Sequence, residues 1–572
     1  MKRSSLPGKL VVLFAMFILA SLSAFAQVET PNRIIVNSQN WVDVYSVMQY
    51  GAFKPITSNF LVSDRHASLI LGQIGKEEKL WAISSSKTPF FTGYQALLDS
   101  RGYTASEFTY DNINLEMAKL LTDVDSFLIL DPSYGYNAIS VAPYAALTKS
   151  YVLFADAGTI DDIVEFLSSR TVRKMIIFGQ VDREVKAQLS QYNPEIINRD
   201  GDRFLNNVEI LKKYREINAA KQVILTNGEF IEQELMSGSQ PVVFIGTNNV
   251  PDAIREYVSQ SDIEVGVLIG NELVGTATFI RRQIGISVFV KFAQGARQPE
   301  GRISQVEALD MFYLPTYTVN LEIDSIKYNR ATNQLEVTLR NTEDQAAYLI
   351  GTYGISDSAQ NQVTVGDTVA NFIDGSQVKT FVYDVDPALS EGKITGDVFI
   401  IFGESAGSLE KELRTSWDID SVRILDNCNI QINEVSLNLR SKQVIAQVEN
   451  IANTECFTNV DVVDIVIAGE KGTFSSEGIA QIGAGDTKNI KIKVPDFEKE
   501  DAEDNSQIKL RAYYGERETT LLKVLEGRFD LLLKRGDILF YILIAVIATL
   551  LLLIIWRRRK GKEGPKASHK AA

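Results

Sequence analysis

Short apolar runs alternate with longer segments of helical period through the first half of the chain, and the alternation repeats. The runs RIIVNS (33–38), SFLILD (126–131) and QVILTN (222–227) open three stretches spaced by roughly 90 to 95 residues. Each is followed by turn-forming residues and a segment that reads as a helix: NWVDVYSVMQYG, YNAISVAPYAAL and EFIEQELMSGS. A second strand comes next in each stretch, in PITSNFLVS, SYVLFAD and PVVFIGT. A third follows a more charged helical segment, in LWAISS (80–85), KMIIFGQ (174–180) and VGVLIGN (265–271). Continuous apolar strands separated by helices indicate βαβ units around a parallel sheet buried on both faces. Self-similarity at a fixed period means one unit copied three times, over 27–125, 126–220 and 221–312.

From about residue 313 the helical period disappears and short alternating strands take over. This region is also written twice. QLEVTLRN (334–341) recurs 109 residues later as QVIAQVEN (443–450). DGSQVKTFVYDVD recurs as AGDTKNIKIKVPD, and VFIIFGES as KLRAYYGER. Regular strands broken by Gly, Asn and Asp turns predict two tandem β-sandwiches, 313–421 and 422–526, forming a stalk.

The ends set the compartment. Residues 1–26 have a basic start (Lys2, Arg3, Lys9), an apolar run and A-F-A before an expected cut between Ala26 and Gln27, the layout of a secretory signal. Residues 538–556 are almost pure hydrocarbon, and Arg557, Arg558, Arg559 and Lys560 follow at once. Nineteen helical residues span about 28 Å, near the thickness of a bilayer core. Basic residues stay cytoplasmic, so the expectation is an outside N-terminus, a single transmembrane helix and a short inside tail, 557–572. The competing reading of each apolar segment is a buried core helix. The whole chain carries −14; without the basic signal and tail the remainder carries −23. That surface repels nucleic acid, while a local basic patch could still meet an anionic polymer.

The two cysteines, Cys428 and Cys456, lie in the expected outside portion. A pair with no competitor in an oxidising compartment reads as a disulfide; in a reducing one it reads as two free thiols. Catalytic patterns fare poorly. G-E-S-A-G at 403–407 matches the nucleophile-elbow spacing, but that motif needs a strand–turn–helix and a histidine base. Here it follows a sandwich strand, so Ser405 reads as a turn residue. The expected outside portion holds one histidine, His66, in a polar segment that reads as a solvated loop or a helix start. One histidine and a bridged cysteine pair leave no usual zinc set. No Walker loop or GxGxxG follows a strand. Neither a cofactor nor an enzymatic activity is expected.

SVAPYAAL (140–147), the strand-ending Gly179 in MIIFGQVDREV and GDRFLNNVEILKKY (201–214) carry a family resemblance. With YDNINLEMAKLL and GRISQVEAL in the equivalent places of the other copies, the three units resemble the cell-wall-binding repeat of clostridial surface proteins. The resemblance implies three Rossmann-like α/β repeats in a pseudo-threefold head and non-covalent binding of an anionic wall polymer. It matches the family's Asp-Arg-aromatic turn to Asp202, Arg203 and Phe204. Asp202 and Arg203 then read as a helix cap with a bridging arginine, or as a ligand-facing basic group. Arg170, Arg173, Lys174, Arg281 and Arg282 are the basic positions that could meet such a polymer. The sandwiches, through Asn341, Asn450, Gly375 and Gly485, resemble adhesion-type domains common in archaeal surface proteins. Together these features predict a membrane-anchored, non-enzymatic surface protein whose head engages an envelope glycan or anionic polymer. A structural S-layer or envelope component binding protein is the alternative, and a membrane-tethered enzyme or solute receptor a third reading. The sequence says nothing of the oligomeric state.

Overall fold

A computed structural model describes residues 30–270, 273–291, 311–533, 549–551 and 554. The expected signal segment with Ala26 and Gln27, the helix expected near 301–309 and the tail 557–572 lie outside the described residues. So does most of the expected span, of which 549–551 and 554 are helical. Among the described residues no helix is long and apolar enough to cross a membrane.

The first half is α/β. Each copy forms a four-stranded, all-parallel sheet, and the spatial order relative to the chain is second, first, third, fourth in all three. In copy 1 this order is Thr57–Phe60, Arg33–Asn37, Lys79–Ser85, Thr104–Tyr110. In copy 2 it is Tyr151–Phe154, Ser126–Leu130, Lys174–Phe178, Glu195–Ile197, and in copy 3 Val242–Phe244, Gln222–Thr226, Val265–Ile269, Ser287–Lys291. The fourth strands extend the three-strand reading of the sequence. Thr104–Tyr110 and Ser287–Lys291 are edge strands with mixed exposure, and Glu195–Ile197 has three residues, so none carries a buried apolar run.

A second departure is in copy 3. The segment expected to be its first helix forms the short strand Phe230–Ile231, which pairs antiparallel with Phe312–Tyr313. Tertiary packing overrides the helical pattern there. Gly228, at φ +80°, leaves room for the Phe244 ring, where a Cβ would lie 2.7 Å from the ring. Gly238, at φ +72°, lies against Pro143 and Ala146 of copy 2, and its carbonyl accepts the Tyr214 hydroxyl at 2.8 Å.

The copies share one core running from Ile34 to Leu314. They interlock through a buried asparagine on the last helix of copies 1 and 2. Asn114, on Ile113–Leu120, donates to Ser46 Oγ (2.9 Å) and Val152 O (2.9 Å) and accepts from Phe154 N (3.2 Å). Asn207, on Arg203–Ile217, donates to Ser140 Oγ (2.9 Å) and Val242 O (3.1 Å) and accepts from Phe244 N (2.9 Å). In each case a side-chain amide pairs with the backbone of the next copy's edge strand. The exposed ladder groups of that edge are thereby satisfied.

The second half forms two large curled sheets of eight strands with the same order. The first runs Gln362–Gly366, Ala347–Asp357, Ile394–Gly403, Lys411–Val422, Leu321–Asn329, Gln334–Asn341, Val378–Asp384, with Asn371–Ile373 beside Ala347–Asp357. The second runs Glu470–Ser475, Cys456–Ile467, Gln507–Gly515, Lys523–Leu533, Ile430–Asn438, Gln443–Asn450, Thr487–Lys493, with Ala480–Ile482 beside Cys456–Ile467. Each sheet folds over its own core as a sandwich. Cys428 and Cys456 are joined in a disulfide, with Cα atoms 5.5 Å apart.

The sandwiches do not stand in line below the head as a stalk would. The second touches the first, and it also touches copy 2. Arg183 pairs with Asp501 at 2.7 Å, Lys186 with Glu470 at 3.5 Å, and Asn198 donates to Glu470. Copy 2 and the two sandwiches therefore close a triangle of contacts.

Candidate functional site at the junction of head and first sandwich

Two features that stand 200 residues apart in the sequence meet in space: the Asp-Arg-aromatic turn and the GESAG turn. Asp202 caps the helix Arg203–Ile217. Its Oδ1 accepts from the backbone N–H groups of Phe204 (2.8 Å) and Leu205 (3.0 Å), satisfying donors that the first helical turn leaves free. Its Oδ2 accepts the Ser405 hydroxyl at 3.3 Å. Gly407 leaves space for the same carboxylate, since a Cβ there would lie 2.2 Å from Asp202 Oδ2 in the present arrangement.

The cap aims Arg203 into the interface, where its side chain is 4 % exposed. Its Nε lies 3.2 Å from Glu404 Oε1 and its Nη2 2.5 Å from Glu410 Oε2. The guanidinium lies 3.8 Å from the ring centre of Tyr136. These are charge and stacking contacts; none of its N–H groups is aligned for a hydrogen bond. Burial works against the Arg203 charge, but Glu404 and Glu410 outweigh it and hold its pKa above the usual arginine value. Burial pushes the Glu404 carboxyl up to about 7; Arg203 opposes that rise, while Glu410 and Asp202 add to it.

Around this cluster the first sandwich binds copies 2 and 3. Asn249 Nδ2 donates to Leu409 O at 2.6 Å, and its backbone N–H to Glu410 O at 3.0 Å. Glu412 N donates to Asn248 Oδ1 at 2.8 Å. Gln345 donates to the Tyr134 hydroxyl at 2.9 Å, and Tyr317 N to the Tyr136 hydroxyl at 2.8 Å. A buried ion cluster of this kind tolerates no loss of one partner, because the other charges stay buried. The arrangement can lock the head to the sandwich. Asp202 and Arg203 sit inside that lock, as a cap and a bridge between bodies.

Ser405 Oγ donates to Asp202 Oδ2 at 3.3 Å and accepts from Ser408 N at 3.1 Å, so it is tied to the carboxylate that caps the helix, in a turn between sandwich strands and not at a strand–turn–helix elbow. His66 is in copy 1 and starts the helix His66–Leu69 as expected, but it is 1 % exposed and not solvated. Its Nδ1 accepts from Val62 N at 3.2 Å, and burial lowers its pKa to about 4. Among the described residues no group of His, Cys, Asp and Glu is placed to hold a metal ion.

The basic positions fall into two groups. Arg170 donates to the carbonyls of Leu121 (2.6 Å), Ala118 (3.1 Å) and Lys119 (2.9 Å), closing the C-terminus of the helix Ile113–Leu120, and it stacks on Phe166. Lys174 donates to the Tyr144 hydroxyl at 2.7 Å. Arg170 is thus half-buried and tied into the fold, whereas Lys174 is exposed at the start of its strand. Arg173 is 73 % exposed in a surface pair with Asp125, and Arg281 and Arg282 are exposed in the last turn of Val274–Gln283.

Sequence reasoning missed Glu404, Glu410 and Tyr136, whose roles exist only across the junction. It also missed Asn114 and Asn207, for which a signal was present: N-[LV]-E-[MI]-x-K in both copies, with matching Glu116–Lys119 and Glu209–Lys212 pairs at 2.8 Å.

No protein-family model matches the chain, and no curated protein does. Solved structures match weakly. The CupB2 chaperone of Pseudomonas aeruginosa is 10 % identical, over 37 % of this chain and 100 % of that one, with a TM-score of 0.13. Red sea bream transglutaminase is 10 % identical over 41 % of this chain and 34 % of its own, with a TM-score of 0.14. Escherichia coli alpha-2-macroglobulin is 8 % identical over 40 % and 24 %, also at 0.14. Likeness at this level carries no argument about what this protein does.

Proposed function

We propose that the protein is a non-enzymatic binding protein of the cell surface, anchored by residues 538–556, whose three-repeat head engages an envelope polymer. The observation that carries this reading is the threefold recurrence of one sheet order, with matching asparagine clamps between copies. Repeated units that share a core present repeated surfaces, and repetition suits a repetitive polymer better than a single substrate. The resemblance to cell-wall-binding repeats and a pseudo-threefold arrangement of the copies belong to the same proposal. The polymer would meet the exposed Arg173, Lys174, Arg281 and Arg282. The buried junction at Arg203 would transmit load from the head to the sandwiches.

The test is a pull-down with residues 27–533 against separated envelope glycan and envelope protein. Retention on glycan, weakened by Arg173→Gln with Arg281→Gln and Arg282→Gln and more visibly at low salt, is the expected result. Retention on neither fraction would sink the reading. Protease added to intact cells should remove the ectodomain and leave a small membrane stub; a protected ectodomain contradicts the topology. One observation favours a protein partner as the second reading. Ser287–Lys291 is an edge strand among the described residues and exposes Phe289 by 63 %, and a strand edge is a template for another chain.

A further inference from the structure

Lys379 lies on the strand Val378–Asp384, at one end of the first sheet, and reaches out of the first sandwich into the second. Its Nζ is 2.6 Å from Asp461 Oδ2, and the two side chains are 4 % and 1 % exposed. Nζ also donates to Phe372 O at 3.1 Å and lies 4.3 Å from the ring centre of Tyr513. On the other side, Asp461 Oδ1 accepts the Ser475 hydroxyl. The backbone N–H of Ser475 donates to a second carboxyl, Asp374. Burial raises the Asp374 pKa, and the neighbouring Asp461 raises it further against the pull of Lys379. An amine and a carboxyl at contact distance are thus buried together beside aromatic rings, with a second, half-buried carboxyl, Asp374, close by.

An ion pair in such a place is costly, because both charges lose their water. Condensation needs the neutral form of the pair, a free amine beside a carboxylic acid, which is reached when one proton crosses the contact. The corresponding amide carries no charge to bury. Fixed reactants also behave as if present at effective concentrations of about 10⁵–10⁸ M, and exclusion of water protects the product from hydrolysis.

We propose that Lys379 and Asp461 condense into an amide, a covalent cross-link between the two sandwiches. The Nζ lone pair forms a bond to Asp461 Cγ, the Cγ–OH bond breaks, and the hydroxyl leaves as water with a proton from the amine. Asp374 carries that proton from nitrogen to the departing oxygen. One amine and one carboxylic acid become one amide and one water, with no oxidant, reductant or cofactor.

The experiment uses the full-length protein, denatured, reduced, alkylated and digested, with the fragments weighed by mass spectrometry. The expected product is the Lys379 peptide joined to the Asp461 peptide, lighter than their sum by one water. Intact wild type should also be lighter than Lys379→Arg by one water beyond the substitution itself. Full recovery of the two peptides unlinked from wild type would overturn the proposal and leave a buried ion pair. Asp374→Asn should abolish the linked peptide while circular dichroism stays native. Linkage in that variant at the wild-type yield would overturn the role given to Asp374.

Discussion

The two sandwiches are one fold written twice, yet they are held in different ways. At matched positions, 109 residues apart, the backbone-fixing groups coincide. Asn341 donates to the carbonyls of Gln345, Ile373 and Asp374, and Asn450 to those of Thr454, Ile482 and Gly483, the same offset throughout. Where the first sandwich buries Val319 and Ala347, the second has the disulfide partners Cys428 and Cys456. The turn after Ile394–Gly403 brings Glu404 and Glu410 to Arg203, whereas the matching turn after Gln507–Gly515 carries Glu516, Arg517 and Glu518 and, among the described residues, makes no such ion pair with the head. A buried side chain that closes backbone hydrogen bonds has few substitutes, so it persists in both copies. A turn at the end of a sheet is free to change, and one copy has become the docking surface. The first sandwich is steadied by a buried ion cluster with the head, the second by a covalent closure within and by polar pairs with copy 2.

The largest test of this contrast is Arg203→Ala. It strands two buried carboxylates and should cost about 3–5 kcal/mol in urea unfolding, whereas Glu518→Ala, exposed on the matching turn, should stay within about 0.5 kcal/mol. Comparable losses at the two turns would remove the asymmetry.

Next in size is the disulfide. Replacing Cys428 and Cys456 by Ala releases a sequence separation of 28 residues and should cost about 3 kcal/mol. Calorimetry should place the loss in the second sandwich. Val319→Cys with Ala347→Cys should in turn bridge the first, read as the disappearance of free thiols.

Asn341→Ala and Asn450→Ala each leave buried carbonyls unpaired and should cost about 1–3 kcal/mol, alike in the two copies. Unequal costs would show that the shared scaffold is not equally stressed.

The smallest net effect is with pH, because two groups shifted by burial titrate over overlapping windows with opposite sign. In the native state Glu404 is raised from 4.5 to about 7, so the folded protein binds the proton more tightly than the unfolded chain. Its contribution is therefore complete below about pH 4.5 and lost as pH rises through about 7. Glu404→Gln should remove that falling component from a pH series of melting temperatures, leaving the rise due to His66. His66 acts with the opposite sign: lowered from 6.5 to about 4, it makes stability fall as pH drops through that window, a component that His66→Asn should remove.

Much of the architecture was legible because periodicity reports local burial. The three buried first strands, the sandwich duplications and the lone cysteine pair all follow from patterns in neighbouring residues. The edge strands were not legible, since Thr104–Tyr110 and Ser287–Lys291 have mixed exposure and lack a core strand's signature. The copy 3 helix was misread because EFIEQELMSGS has helical character, while the chain around it ties Phe230–Ile231 to Phe312–Tyr313. Gly375 and Gly485 are not equivalent. The position matching Gly485 (φ 74°) is Ser376, which takes the same left-handed conformation at φ 58°, so an alignment by glycine slips by one residue.

By itself the sequence determined which segments of the first strands and of the sandwiches would be buried and that each region is built from repeated units, and it offered Asp202 as a helix cap. Those outcomes depend on residues a few positions apart. Only the tertiary structure decided where charges went. Arg170 and Lys174 look like a basic patch in the chain, yet they end on a helix terminus and a tyrosine. Arg203 becomes the buried partner of carboxylates 200 residues away, and Lys379 that of Asp461 across a domain boundary. A long charged side chain can reach many partners, and its choice is set by which bodies pack against it.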